Sequence, residues 1–226
     1  MRVLIVEDEK ALSRQLATTL GEAGYATDCV EDGERADFLA QTEQYDAILL
    51  DLGLPRVDGL TLLRRWREIG LAVPVLILTA RSSWHEKVQG IDGGGDDYVT
   101  KPFQMEEVLA RLRALIRRAS GLAASELRCG ALVLDTRTTR VSVNGSPVKL
   151  TSHEYRVLAY LMHHRDRVIS QGELIEHIYA QDFERDSNTL EVFIARLRRK
   201  LGEPFIETAR GLGYRIVEPA GAKAGC

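Results

Sequence analysis

The chain has little of what would mark a secreted, membrane-spanning or zinc-stapled protein. Its three cysteines among 226 residues, Cys29, Cys129 and Cys226, are odd in number and far apart. They form no CxxC or Cys/His spacing, so they read as free thiols in a reducing compartment rather than as disulfides or a zinc site. No apolar run approaches the roughly 18 to 20 residues that a membrane span needs. The N-terminal "MRVLIVEDE" turns acidic too early for a signal peptide. Together these place the chain in the cytoplasm, with no membrane among its partners. Internal repeats and low-complexity segments are also missing. What is present is 45% hydrophobic and 28% charged residues, enough apolar material for real cores. The length suggests two ordinary domains.

Charge is unevenly divided. Residues 1–119 carry 15 Lys+Arg against 20 Asp+Glu, and the remainder 15 against 13, so the halves differ in sign. The basic excess is concentrated in "RLRRK", Arg196 to Lys200, followed closely by Arg210 and Arg215. Such a local basic face can bind phosphates even in an acidic protein.

The first half alternates short apolar runs, "RVLIV", "ATDCV", "AILL", "VPVLILT" and "DYV", with five segments of helical period, one of them "WHEKVQGIDGG". Strict alternation of this kind predicts an α/β domain with a parallel sheet and crossover helices. "SGLAAS" after Ala119 has the small, polar composition of a linker. The expected domains are therefore 1–119, a linker over 120–126, a second domain over 127–219, and a flexible tail over 220–226. In the second domain "ALVLD", "TRVSV" and "PVKL" read as antiparallel strands, with Asn144-Gly145 as a hairpin turn. Three helices follow, with Ser170 and Ser187 where N-caps belong and Gly202 where a C-cap glycine would stand. "FIETARGLGYRIV" reads as a terminal hairpin.

Polar residues in the first half recur at one place relative to their strands. Glu7 and Asp8 follow the first run, Asp51 the third, Thr79 the fourth and Lys101 the fifth. In a doubly wound sheet the carboxyl ends of the strands open onto the ligand site, so these side chains should converge. Any one of them alone would be an ordinary turn residue or cap. Three carboxylates brought together repel unless a cation joins them, and hard oxygen ligands on a semi-open site suit Mg2+. A lysine and a threonine beside that ion would meet the oxygens of a phosphoryl group. A carboxylate can attack phosphorus to give an aspartyl phosphate, and Asp51 is the best-placed nucleophile.

"VEDE", "DLGLPRVDG", "LTA" and "YVTKPF" together resemble the receiver domain of two-component response regulators, over nearly all of residues 1–119. That resemblance implies a flavodoxin-like five-stranded sheet in the order 2-1-3-4-5. It implies that Asp51 accepts a phosphoryl group from a sensor histidine kinase, and that the receiver catalyses its own Mg2+-dependent phosphorylation and dephosphorylation without being an enzyme otherwise. Asp8, Asp51 and the backbone carbonyl of Gly53 would bind Mg2+, with Glu7 assisting through water. Lys101 would pair with the phosphoryl group, the Lys101-Pro102 bond would be cis, and Thr79 and Tyr98 would form the switch. Gly95 departs from the alanine usual in the family. It is expected to loosen the end of the fourth helix, since glycine there costs roughly 1 kcal/mol relative to alanine.

In "SNTLEVFIARLRRKLG", Leu190, Ile194, Leu197 and Leu201 fall on one apolar face, and Asn188, Arg196, Arg199 and Lys200 on the other. A helix basic on one side fits a major groove. With "LTSHEYRVLAYL" and "ETARGLGYRI" it is similar to the winged helix-turn-helix α+β effector of the OmpR/PhoB class. The resemblance implies that residues 187–201 are the recognition helix and that Arg210 enters the minor groove. Arg196 is expected at or near the bases, with Asn188 and Thr189 near the helix start. Arg198, Arg199, Lys200, Thr208 and Tyr214 are expected as phosphate contacts or supports, and Tyr155 and Tyr160 as core. The family dimerises on phosphorylation through its fourth helix, fifth strand and fifth helix, here carrying Lys87, Asp96, Asp97, Glu107, Arg111, Arg113 and Arg118. In the family's intersubunit pairs, Lys87 matches with Glu107 and Asp97 with Arg111. The partners implied are a cognate kinase, promoter DNA with direct repeats, a second copy of the chain and RNA polymerase. Two rivals stay open: a constitutive DNA-binding protein with a purely structural receiver, and a metal-dependent phosphohydrolase.

Overall fold

Apolar runs too short to be helices and almost free of polar residues build the first sheet. The computed structural model describes residues 1–80, 90, 92–180, 187–202 and 204–219, the side chains of residues 187 and 188 excepted. Residues 84–89 and 91 of the helix expected at "WHEKVQGIDGG", Lys87 among them, and the tail over 220–226 fall outside the described residues.

The chain divides into two compact units, Arg2–Ala119 and the residues from Ser120 onward. In the first, strands β1 (Arg2–Val6), β2 (Ala26–Val30), β3 (Ala47–Asp51), β4 (Val75–Thr79) and β5 (Asp97–Thr100) form one parallel sheet in the order β2-β1-β3-β4-β5. Helices α1 (Lys10–Glu22), α2 (Gly33–Thr42), α3 (Gly59–Glu68) and α4 (Met105–Ala119) belong to the same unit. Every residue of β1, β3 and β4 is buried, as expected of strands covered on both faces. Trp66 of α3 completes one core, fully buried, with its indole N–H donated to Asp37 at 3.0 Å.

At the amino ends of the strands lies a buried ionic group. The Arg2 guanidinium is fully buried and pairs with Asp28 at 2.7 Å and Glu43 at 2.8 Å, with the Tyr45 ring 4.8 Å away. The same end is tied by Arg67 of α3, which donates to the carbonyls of Gly94, Leu71 and Val73 and to the Asp96 carboxylate.

Gly95 lies in the turn before β5, where its amide donates to Gly90 O at 3.0 Å. A Cβ built there would stand 2.4 Å from Ile77 Cδ1. The space an alanine methyl would take is therefore filled by Ile77, while the helix expected before it lies mostly outside the described residues.

In the second unit β6 (Glu126–Cys129), β7 (Leu132–Asp135), β8 (Arg140–Val143) and β9 (Ser146–Val148) form an antiparallel sheet in chain order. Sequence reading misses β6, and its first residue falls inside the expected linker. Asn144 and Gly145 turn from β8 into β9 with φ of 51° and 75°, the left-handed pair a two-residue hairpin needs. Helices α5 (Ser152–His163), α6 (Gln171–Ile178) and α7 (Ser187–Leu201) follow, then the hairpin of β10 (Ile206–Ala209) and β11 (Gly213–Ile216). Thr151 and Glu154 make a capping box at α5, and Ser170 caps α6 through Glu173 N. Tyr160 is core as expected, whereas Tyr155 is only half-buried.

Candidate functional site

The carboxyl ends of β1, β3, β4 and β5 bring together five of the residues expected to meet there. Asp51 ends β3 and is 7% exposed, while Glu7, just past β1, is 0% exposed. Asp8 beside it is open to solvent. Lys101 Nζ donates to Asp51 Oδ2 at 2.7 Å and to Glu7 Oε1 and Oε2 at 2.9 and 2.7 Å. The Lys101 amide donates to Thr79 O at 2.7 Å, fixing the segment after β5 to the end of β4. The Lys101-Pro102 bond is cis. Thr79 is buried and Tyr98 half-buried against the core.

Local sequence explains how Asp51 is held. Its Oδ1 accepts the Gly53 amide at 2.9 Å. Asp58 caps α3 through Leu60 N and Thr61 N. The helix then starts so close to β3 that a Cβ on Gly59 would stand 2.3 Å from the Asp51 carbonyl oxygen. Only glycine permits that approach without moving the backbone of Asp51. Gly59 was within reach of sequence reading as the glycine that ends "DLGLPRVDG", but nothing in the spacing told a close approach from a turn.

The electrostatics leave a gap for a cation. Three carboxylates face one ammonium, a formal charge of about −2 if all are ionised. Burial raises the pKa of Glu7, the Lys101 hydrogen bond opposes that, and the charge on Asp51 adds to the rise. Burial by itself would lower the pKa of Lys101, but its bonds to Asp51 and Glu7 outweigh that and hold it above the usual lysine value. One ligand oxygen from each of Glu7, Asp8 and Asp51 lies within 4.8 Å of the others. Oxygens on opposite sides of one Mg2+ are about 4.2 Å apart, so this all-oxygen set fits a small hard cation with slight closure.

In the second unit the exposed side of α7 carries Glu191, Val192, Ala195, Arg196 and Arg199. Thr189 is half-buried. Arg198 turns away, donating to Ile206 O at 3.0 Å and Thr208 Oγ1 at 2.7 Å, so it ties α7 to β10. Lys200 is bonded to buried Glu154 at 2.6 Å. Tyr214 is buried, its backbone paired both ways with Ile169. A Cβ on Gly213 would fall 1.9 Å from Ile169 O, so this glycine lets the hairpin lie against the body. Arg210 stands exposed at the hairpin tip.

Residues 3–113 match the model of the response regulator receiver domain, and residues 145–216 that of the C-terminal domain of transcriptional regulatory proteins. The chain is 47% identical to the two-component response regulator PhoP of Pseudomonas aeruginosa, over 96% of this chain and 99% of that one. The chain is a response regulator of the OmpR/PhoB class. It is also 41% identical to the virulence transcriptional regulatory protein PhoP of Salmonella typhi, over 95% of this chain and 97% of that one. Among solved structures, the receiver domain of the Francisella response regulator 1452 matches with a TM-score of 0.51 and 37% identity, covering 52% of this chain and 98% of that one. A receiver joined to a DNA-binding domain of this type makes the response regulator a phosphorylation-activated transcriptional regulator. Among the described residues no helix is long and apolar enough to cross a membrane.

Of the residues expected at the dimer face, several are engaged within the chain. Arg111 bonds Glu107 at 2.9 Å and Asp97 at 3.0 Å, and those contacts, Glu107 first, raise its pKa. Asp96 accepts from Arg67 and from Val75 N, each at 2.8 Å. Arg118 donates to Ala114 O at 3.3 Å, one turn back along its own helix.

Proposed function

We propose that Asp51 accepts a phosphoryl group from a phosphohistidine on a cognate sensor kinase, and that this drives dimerisation and promoter binding. The observation that carries the proposal is the Lys101 ammonium shared between Asp51 and fully buried Glu7. An Asp51 oxygen attacks phosphorus, the P–N bond breaks, and the imidazole leaves with the electron pair. An acyl phosphate on Asp51 results. Two of Lys101's bonds stay on Glu7 while the one to Asp51 passes to an incoming phosphoryl oxygen, so the cation needs little reorganisation. Asp8, Asp51 and the Gly53 carbonyl would hold Mg2+, with Glu7 reached through water. When bound, the ion neutralises the charge that gathers on the phosphoryl oxygens. Thr79 moves to the phosphoryl group and Tyr98 turns inward behind it.

The signal then reaches the face carrying Lys87, Asp96, Asp97, Glu107, Arg111, Arg113 and Arg118. Arg111 exchanges its intrachain partners for those of a second copy. Two copies on tandem half-sites raise affinity through effective concentration alone. Arg196 contacts bases, Arg199 phosphate and Arg210 the minor groove, with Asn188 and Thr189 near the start of α7. Arg198, Lys200, Thr208 and Tyr214 support that surface. The protein acts in the cytoplasm and works with RNA polymerase. Beryllofluoride with Mg2+ should shift the full chain toward dimer and tighten DNA binding, whereas Asp51→Ala should not respond. An unchanged oligomeric state and DNA affinity in the wild type would rule the switch out.

A further inference from the structure

The exposed side of α7 carries two residues that a charge-based reading leaves unused. At about 100° per residue, the buried Leu190, Phe193, Ile194, Leu197 and Leu201 define one side of the helix. Val192 and Arg199 fall in the middle of the opposite side, with Ala195 on one flank and Arg196 on the other. All four are exposed, and Glu191 sits at the margin. Val192 is 45% exposed, one of four exposed large hydrophobics among the described residues. Another is Leu212, 68% exposed and two residues from Arg210 in the hairpin tip. Single exposed apolar residues are ordinary on protein surfaces. Here two of the four lie on the elements that hold Arg196, Arg199 and Arg210, which make no ion pair among the described residues.

A helix face on which exposed arginines stand beside exposed apolar residues is complementary to a duplex groove, whose walls are phosphate and whose floor is base edges. In the major groove thymine is the base with an apolar feature, its C5-methyl group, and apolar side chains are what meet it. Val192 and Ala195 are three residues apart, so their Cβ atoms lie about 5 to 6 Å from one another. That span covers one to two base steps of about 3.4 Å. Cytosine at the same step lacks the methyl and presents an N4 donor that neither side chain can accept.

We infer that Val192 and Ala195 read thymine methyl groups in each half-site, beside the contacts made by Arg196 and Arg199. This rests on the DNA-binding role proposed for α7 and adds the base that it selects. The test starts by selecting duplexes from a random-sequence pool with the full chain, activated by beryllofluoride and Mg2+. Thymines of the selected duplex are then replaced singly by deoxyuridine, which removes one methyl and nothing else. Burying a methyl is worth about fourfold in affinity. The wild type should lose roughly three- to fivefold at one or two thymines. Val192→Ala, an exposed change to a better helix former, should bind the thymine duplex that much more weakly and, at one of those thymines, lose less than twofold further on deoxyuridine. Arg199→Ala should lose equally on both. Wild-type protein indifferent to every deoxyuridine, or Val192→Ala losing equally on both duplexes, would overturn the inference while leaving DNA binding intact. A pool that yields no preferred sequence would remove the DNA-binding reading itself.

Discussion

Replacing Gly95 with alanine tests whether this glycine loosens its turn or is a packed part of the first unit. The new Cβ would stand 2.4 Å from Ile77 Cδ1, 3.2 Å from Ile77 Cγ1 and 3.0 Å from Gly90 O. Carbon atoms pack at about 3.5 to 4.0 Å, so Ile77 must retreat by more than 1 Å. Ile77 is 1% exposed in the middle of β4, with nowhere to retreat. Overpacking of this kind costs about 1 to 3 kcal/mol. Against it stands a gain of about 0.4 to 1 kcal/mol from a less flexible unfolded chain. Gly95→Ala should therefore destabilise the first unit by about 1.3 kcal/mol, the difference between the midpoints of those ranges. Both tryptophans, Trp66 and Trp84, lie in that unit, so urea unfolding followed by tryptophan fluorescence reports on it selectively. Ile77→Val removes the clashing Cδ1 at a cost of about 0.5 to 1.5 kcal/mol. In that background Gly95→Ala should become nearly neutral, a coupling of about 1 kcal/mol or more between two touching residues. A stabilising Gly95→Ala with no coupling to Ile77 would refute the packing argument and restore the view of a loose turn.

Three further outcomes follow from the same structure. Arg2→Met leaves Asp28 and Glu43 without their buried cation, and should cost the first unit about 3 to 5 kcal/mol in the same urea assay; a loss below about 1 kcal/mol would mean that water reaches the pair. Glu154, 1% exposed, is held below the usual carboxylate range: burial pushes its pKa up, but the Lys200 bond and the Thr151 amide more than offset that. A depressed folded pKa gives stability above the unfolded value of about 4.3 that is lost as pH falls through the folded value. Hydrogen exchange of α5 and α7 amides should accelerate below about pH 4, and Glu154→Gln should remove that pH dependence while lowering stability at neutral pH. Glu7→Gln keeps the side chain's size but weakens the anchor of Lys101 and removes one acidic charge, so Mg2+ should bind more weakly in a fluorescence titration; unchanged affinity would exclude Glu7 from the metal's surroundings.

Legibility in the sequence followed burial. The strands of the first sheet could be read because parallel strands covered on both faces become unbroken apolar runs, and β1, β3 and β4 are buried throughout. Their spatial order was not in those runs; it came with the resemblance carried by "VEDE", "LTA" and "YVTKPF". β6 escaped because its four residues, "ELRC", alternate exposed and buried and follow a stretch with linker composition. The acidic site was legible because its members share one position relative to their strands. That Glu7 would take two of Lys101's three bonds was not, since a strand end fixes where a side chain starts and not which neighbour it reaches.

The same limit explains the basic helix. Periodicity separated the apolar side of α7 from the polar side, but it could not divide the polar residues into those tied inward and those left outward. Arg198 reaches Thr208 ten residues on, and Lys200 reaches Glu154 forty-six residues back. Both pairings depend on where β10 and α5 come to rest. A charge count over "RLRRK" therefore overstates the cations available to a ligand, and the two outward arginines that remain, Arg196 and Arg199, are too few to describe that face by charge alone. The exposed apolar residues beside them, Val192 and Ala195, then matter, because when few cations face the groove, the uncharged positions of the face have more weight in which bases are accepted.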